Sequence, residues 1–355
     1  MKHLTIRNLG PLDEVDIELR KINVIIGPQS SGKSCVLKTA CYCAWVEKRV
    51  ELTQKADYFE EEDRFIKELV KFHKLDGYVR ENTYVEYESD YMHFSYDNAY
   101  KKFTFKWKNR WGYKRVKVTY IPAERNMAAA IPNWFDVQLA DDNIRSFMSD
   151  WEMARKATVS ELAVLNLGVS YHYDPVTNSD KVAVARGVVL EFTNTSSGLQ
   201  SLIPLYVHLN YLDKLQYTQE QRESVMKTLE KRELQRIIYS ELGEDKEDIY
   251  SRYVNTDHCD IFLEEPEENL FPPTQSKLVE WLLAMSEGEH ASNLFIATHS
   301  PYMLTSFLEK KELDLALFFT NINEGGAFVK TASEEDIQEI YDNGVDIFFN
   351  LESFG

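Results

Sequence analysis

Polar and apolar residues alternate over His3-Leu4-Thr5-Ile6-Arg7 and over Val15-Asp16-Ile17-Glu18-Leu19, then give way to the apolar run Ile22-Asn23-Val24-Ile25-Ile26. A period of two marks strands with one wet face, and an unbroken apolar run marks a strand buried on both. From Cys35 to Val50 no Gly or Pro interrupts the chain, which predicts a helix, and Glu51 to Lys74 keeps a charged helical composition that allows a long arm. Between Thr83 and Ile121 the alternation returns in Tyr84–Tyr87, Met92–Tyr96, Phe103–Trp107 and Val116–Tyr120, with turn residues between them. That pattern predicts an antiparallel meander.

A mixed helical region follows to about Asn166, and strands are expected near Val169–Tyr173 and Val188–Phe192. Leu199 to Leu212 is apolar enough for a buried helix, whereas Asp213 to Asp257 is rich in Glu, Lys, Arg and Gln and predicts an exposed helical insertion. Ile261-Phe262-Leu263 and Leu294-Phe295-Ile296-Ala297 are short apolar runs on either side of a helical pattern over Thr274–Met285. Strand, helix, strand implies a parallel α/β sheet.

Four segments carry candidate chemistry. Gly27-Pro28-Gln29-Ser30-Ser31-Gly32-Lys33-Ser34 fits GxxxxGK[ST] between an apolar strand and a helix, the context that gives this motif its meaning. Its glycines let backbone N–H groups wrap phosphates at a helix N-terminus, Lys33 reaches phosphate oxygens, and the Ser34 hydroxyl is a magnesium ligand. Ile261 to Glu267 is a strand that delivers Glu264 and Glu265 to its C-terminal end, the edge where ligands sit in parallel sheets. Glu264 suits the metal shell, and Glu265 suits orienting or deprotonating a water. Leu294 to Pro301 is a strand ending in His299, whose imidazole suits a hydrogen bond to a terminal phosphate. Ser196-Ser197-Gly198-Leu199-Gln200-Ser201 opens a helix whose free N–H groups favour anions, although alone it is a capped helix start.

Composition narrows the picture. The chain has 355 residues, 44% hydrophobic and 13% aromatic, enough for one large domain or two ordinary ones with a substantial core. A net charge of −18 repels polyanions over most of the surface, so any nucleic-acid contact must be a local basic patch. The segment Lys101–Lys117 mixes lysines and arginines with Phe103, Phe105, Trp107, Trp111 and Tyr113 and is the one candidate; a hairpin with one aromatic face buried explains it equally well. Cys35, Cys41, Cys43 and Cys259 lack zinc-type spacing and read as buried thiols. No apolar run is long enough to span a membrane, and the first residues read as a strand rather than a signal peptide, so a cytoplasmic location without membrane contact is expected.

The order of these motifs, Walker A, then SSGLQ, then EEPEENLFP after a strand, then ATHS, resembles the ABC ATPase head, and within it the soluble SMC, RecF and OLD-like branch. Stand-alone ATPases of that class occur in genome maintenance and in bacterial anti-phage defence. The resemblance covers roughly residues 1–40, 190–212 and 258–305. It implies one ABC-type domain over residues 1–355, a P-loop α/β fold with a parallel core sheet, an antiparallel β-subdomain at 83–121 and helical insertions at 51–80 and 213–257. It also implies Mg-ATP held by residues 27–34 and Cys35, with Ser34 and Glu264 at the metal and Glu265 and His299 as catalytic residues. Two heads would close as a homodimer, each nucleotide lying between Lys33 of one subunit and Ser197-Gly198 of the other, and hydrolysis would loosen the pair. About fifty residues follow His299-Ser300-Pro301, too few for a Toprim nuclease domain, which points to a separate effector protein. An ATP-stabilised scaffold and a transporter subunit are the competing readings.

Three features depart from the family pattern. Glu264 stands where most relatives have Asp, Leu199 replaces the second glycine of LSGGQ, and Asp213–Asp257 separates the signature from the carboxylate strand. No glutamine is assigned to the family's Q-loop. Tyr120-Ile121-Pro122-Ala123-Glu124-Arg125 resembles a PAER element, for which Arg125 is expected either at the nucleotide or dimer partner or in a surface salt bridge.

Overall fold

A computed structural model describes residues 2–218, 228–243, 246–310, 313–322 and 326–343. Among these, eleven strands form one sheet in the order β6-β5-β4-β1-β2-β15-β14-β3-β13-β12-β7, and four more form a small sheet in the order β11 (Val188–Glu191), β10 (Ser179–Val184), β9 (Ser170–Asp174) and β8 (Leu162–Ala163). The large sheet has two characters. Its core joins β7 (Val116–Ile121), β12 (His258–Glu264), β13 (Asn293–Thr298), β3 (Ile22–Ile26) and β14 (Leu315–Ile322) in parallel. Its other wing joins β2 (Leu12–Leu19), β1 (Lys2–Leu9), β4 (Val79–Glu88), β5 (Met92–Asp97) and β6 (Lys102–Trp107) antiparallel. β15 (Ala327–Thr331) bridges them, antiparallel to β14 and parallel to β2. That second junction is slight, pairing Ala327 with Leu12 and Phe328 with Glu14 across an irregularity.

The chain makes the sheet bend. β6 and β7 are its two outermost strands, yet only residues 108–115 link them, a span of about 30 Å at full extension. Eleven flat strands would place those edges about 48 Å apart. The wings therefore fold toward each other around helix α1 (Lys33–Thr53), whose apolar residues share one core with Leu4, Ile6, Tyr87 and Phe94 of one wing and Phe262, Phe295 and Phe318 of the other. α1 accordingly buries nearly all of its length, which a stripe of period 3.6 would not require.

The helix expected from Cys35 stops at Gln54, which takes a left-handed backbone and donates its N–H to Val50 O. The charged stretch beyond it does not project as an arm. It forms α2 (Asp57–Glu60) and α3 (Arg64–His73), which fold back so that Phe59 and Phe65 pack with Phe103 and the Tyr42 hydroxyl donates to Phe65 O. The meander expected over Thr83–Ile121 divides: β4 to β6 are antiparallel as the alternation predicts, but β7 leaves them to pair parallel with β12. Of the charged insertion, residues 219–227 and 244–245 lie outside the described residues. Helices Thr228–Leu242 and Glu247–Val254 are not merely solvated, because Leu234, Ile238 and Tyr253 bury against Tyr113 and Val116.

The other face of the core sheet is covered by α5 (Asn143–Ala157), by α6 (Ser197–Asp213), buried from Ser201 to Leu212, and by helix Pro272–Glu287. The small sheet docks on α5 through Arg155, whose guanidinium bonds Glu152 at 2.7 Å, Asp180 of β10 (Ser179–Val184) at 2.5 Å and Asn178 at 2.8 Å. Removing the cation would leave Asp180 with only the Tyr171 hydroxyl and the buried Glu152 with only the exposed Lys156. Arg155→Met is expected to cost about 3–5 kcal/mol of unfolding free energy, read from urea denaturation; a change below about 1 kcal/mol would contradict this role.

Candidate nucleotide-binding site

β12, β13 and β3 are neighbours and run parallel, so the turns that follow Glu264, Thr298 and Ile26 emerge side by side at one edge of the sheet. After β3 the chain enters the glycine loop. A Cβ on Gly27 would lie 2.2 Å from Thr320 O, and Gly32, at φ 90°, would press a Cβ to 2.5 Å from Leu12 Cδ2. Both positions therefore require glycine. Ser31 Oγ donates to Pro28 O at 2.7 Å and shares a hydrogen bond with the Thr320 hydroxyl of β14, which staples the loop to the neighbouring strand.

Gly32 caps α1 with no side-chain partner, and the first bond of the helix runs from Val36 N to Gly32 O, so the amides of the preceding turn are free of helical partners. Those amides and the helix dipole make an anion cradle. The Lys33 ammonium folds back over the loop, donating to Gly27 O at 2.9 Å and Pro28 O at 2.6 Å. Ser34 is half-buried one residue further along. The Cys35 thiol points away, donating to Leu9 O at 3.7 Å with its pKa pushed up to about 12 by burial. Only its backbone faces the cradle's end of the helix.

At the end of β12, the buried Glu264 carboxylate accepts a short hydrogen bond from the Tyr120 hydroxyl of β7. The extra methylene relative to Asp is thus taken up by a phenol on the neighbouring strand. Glu265 adopts a left-handed backbone, φ 45°, and donates its N–H to Ala297 O at 2.8 Å. Its carboxylate lies 3.2 Å from His299 Nε2, and this contact holds it below the usual carboxylate range, with Lys33 and Arg125 adding to the effect. His299 N donates to Glu267 Oε1 at 2.6 Å, so a single turn grips both the backbone and the ring of the histidine.

Arg125, expected at the surface or at the nucleotide, is fully buried. Its guanidinium donates to Ser201 O at 3.2 Å, Glu264 O at 3.0 Å and Glu265 O at 2.8 Å, with Glu268 at 3.8 Å balancing the charge. It is a clamp between the carboxylate turn and α6, reinforced by Asn269 Nδ2 to Ser201 Oγ at 3.0 Å. At the head of α6, Ser197 is exposed, Ser196 caps with no side-chain bond, and Gln200 turns back onto Thr193 O and Thr195 O. Among the described residues no hydrogen bond ties Ser197 or Gly198 to the glycine loop.

The structure therefore gathers Gly27–Ser34, Glu264, Glu265 and His299 at one edge and leaves Ser197-Gly198 at the head of a separate helix. Sequence reasoning missed Tyr120, Thr320 and Glu267, and only Glu267, inside EEPE, carried a local signal. Among the described residues no three His, Cys, Asp or Glu side chains converge on a metal position. Magnesium does not require such a cluster, since it keeps waters and is held through one or two protein oxygens together with phosphates. The free amides, the folded lysine and the paired carboxylates fit a magnesium-bound nucleotide.

A glycine loop, a carboxylate strand and a histidine strand, adjacent and parallel, with an antiparallel wing appended, make an α/β fold of the P-loop kind, arranged as the resemblance to an ABC-type head implies. No protein-family model matches the chain, and no curated protein is significantly similar to it in sequence. Among solved structures it is similar to the SMC head domain from Thermotoga maritima, at 10% identity and a TM-score of 0.45, covering 93% of this chain and 98% of that one. It is also similar to the Pyrococcus furiosus Smc head domain with an extended coiled coil bound to the C-terminal domain of ScpA, at 9% identity and a TM-score of 0.45, covering 97% and 99%. Among the described residues no helix is long and apolar enough to cross a membrane.

Burial lowers the Lys33 ammonium to about 8, against the opposing pull of Glu265 and Glu267. A lysine in the unfolded chain titrates near about 10.4. Between those values the unfolded state holds more protons, so folding stability rises with pH. The stability of the wild type relative to Lys33→Met is expected to increase between pH 8 and pH 10, measured by urea unfolding without nucleotide. A flat difference would show that Lys33 titrates as a solvated lysine, and a falling one that folding raises its proton affinity; either contradicts the effect of burial.

Proposed function

We propose that the protein is a Mg-ATP-dependent ATPase that dimerises around nucleotide and acts as a switch on DNA or on a separate effector protein, in genome maintenance or anti-phage defence. The observation that carries this reading is the common edge of β3, β13 and β12, which sets the Lys33 loop beside the Glu265–His299 pair. The α1 amides and the Lys33 ammonium would bind the phosphates, with Ser34 and Glu264 at the metal shell. Bound Mg-ATP would supply the phosphoanhydride and the cation that neutralises its developing charge. Glu265, ionised and aimed by His299, is placed to hold a water and take its proton.

Dimerisation rests on the head of α6. Ser197 is exposed and unconnected to its own glycine loop, as expected of a surface completed by a second copy. Arg125 joins that helix to Glu264 and Glu265 within one subunit, so movement at either end reaches the other. Regarding the effector, the structure gives little support to nucleic acid at Lys101–Lys117. Phe103 and Tyr113 are buried there, Lys108, Arg110, Lys114 and Lys117 pair with Glu88, Glu241, Asp257 and Asp150, and Arg115 donates to Val254 O. A protein effector is the better reading.

A slower, scaffold-like ATP binder is a second reading, favoured by the Tyr120 hydroxyl on Glu264, which competes for the oxygen a metal shell would use. Light scattering with and without Mg-ATP, alongside phosphate release, separates the two. For the switch, wild type and Glu265→Gln both gain mass with Mg-ATP, while Glu265→Gln loses turnover by about 100-fold or more. Dimerisation without measurable phosphate release in the wild type favours the scaffold, and an unchanged mass with nucleotide overturns both.

A further inference from the structure

A cavity of about 440 Å³ lies on the far side of β7 from the glycine loop, walled by α1, α3, β7 and α5. Its walls are aromatic and its charges are unevenly matched. Tyr42, Trp45, Tyr58, Phe72 and Tyr120 line it. The three carboxylates that face it are already engaged: Asp150 accepts from Lys117 at 3.1 Å, Asp141 from Lys71 at 3.0 Å, and Glu68 takes a short bond from the Tyr58 hydroxyl. Two cations remain without a carboxylate. Arg49 lies 3.8 Å over the Tyr58 ring and 5.6 Å from that of Trp45, and Lys48, which feels Asp150 only at a distance, makes no hydrogen bond or ion pair among the described residues.

His73, at the end of α3, is fully buried in the same wall with neither ring nitrogen hydrogen-bonded. Burial pushes its pKa down to about 3, so the ring is neutral and carries one unused donor and one unused acceptor. Orphaned buried polar groups are rare and costly, and a half-buried ammonium without a counter-ion is costly as well. A single occupant with negative charge and a flat face would meet the two cations and the open part of the aromatic wall. The volume falls in the range of small-molecule sites, and the lining mixes aromatic rings with a larger number of charged side chains, as an anion site requires.

We propose that this pocket binds a small anion carrying a flat ring, a phosphorylated or carboxylated aromatic, with Lys48 and Arg49 on the charge and Trp45 against the ring. The site is distinct from the glycine loop. It nevertheless shares Tyr120 with the acidic edge, since the ring of that residue meets His73 at 5.2 Å between centroids while its hydroxyl holds Glu264.

Lys48 itself provides the test. Burial, with Lys117 and Arg115 nearby, brings its ammonium down to about 7, so a large share is free amine near neutrality. The probe is pyridoxal 5′-phosphate, an anionic flat ring whose aldehyde condenses with an amine, losing water, to an imine that borohydride reduces to a stable secondary amine. The intact chain is labelled at pH 7.5 and the modified lysines are mapped by mass spectrometry. Lys48 is expected to react at least tenfold faster than with pyridoxal, which lacks the phosphate, and to be protected by pyridoxine 5′-phosphate but not by glycerol 3-phosphate. No reaction at Lys48, equal rates with the two aldehydes, or equal protection by the two phosphates each overturns the proposal. Lys33 is the internal control. Its labelling should be blocked by Mg-ATP while that of Lys48 is not, so failure of the nucleotide reading shows at Lys33 and failure of this one at Lys48.

Discussion

A guanidinium in the interior of a protein is tolerated only where oxygen atoms surround it, and Arg125 meets that condition by taking the carbonyls of Ser201, Glu264 and Glu265 at once. The arrangement constrains everything at the nucleotide edge. Those carbonyls belong to the start of α6 and to the turn after β12, so their spacing is set by one rigid planar cation. Glu265 can then hold a left-handed backbone that a free turn would relax, and this conformation aims its carboxylate at His299. The motifs are far apart in sequence, yet they meet through a side chain that belongs to none of them.

The electrostatics of the edge follow from the same crowding. Glu264, Glu265, Glu267 and Glu268 occupy one turn, and four carboxylates so close together would repel without nearby cations and donors. Tyr120 takes Glu264, His299 takes Glu265, the His299 amide takes Glu267, and Arg125 faces Glu268. Burial still drives the Glu268 carboxyl upward, whereas the histidine drives Glu265 downward. Glu265 and Glu268 thus shift in opposite directions within one turn, the first through its histidine partner and the second through burial.

What could be read from the chain was local. Apolar runs gave β3, β12 and β13, the glycine spacing gave the loop, and the parallel order of strand, helix and strand gave the edge on which they meet. Pairing over long distances was not legible. Nothing in Val116–Tyr120 distinguishes an antiparallel hairpin arm from a parallel core strand, because alternation reports which faces are wet and not which neighbour is bonded. The basic and aromatic segment was ambiguous for a similar reason: Lys108, Arg110, Lys114 and Lys117 pair with Glu88, Glu241, Asp257 and Asp150, which the sequence does not mark as partners. Tyr120 and Thr320 reach the site only because β7 and β14 flank the strands that carry it, which no motif encodes.

The placement of β3 between β13 and β14 has a further meaning for a chain made from its N-terminus. The antiparallel wing and α1 are available within the first hundred or so residues, but both neighbours of β3 come from Asn293 onward. At roughly 5–20 residues per second on the ribosome, about fifteen seconds to a minute separates synthesis of the glycine loop from synthesis of the strands that flank it. Through that interval the nascent loop has no β14 to staple it and no carboxylate edge beside it, and Ile22–Ile26 is an unpaired apolar strand in need of shelter. The edge that gathers the glycine loop, the acidic turn and His299 is consequently among the last parts of the fold to form, and a product that stops before Asn293 lacks it.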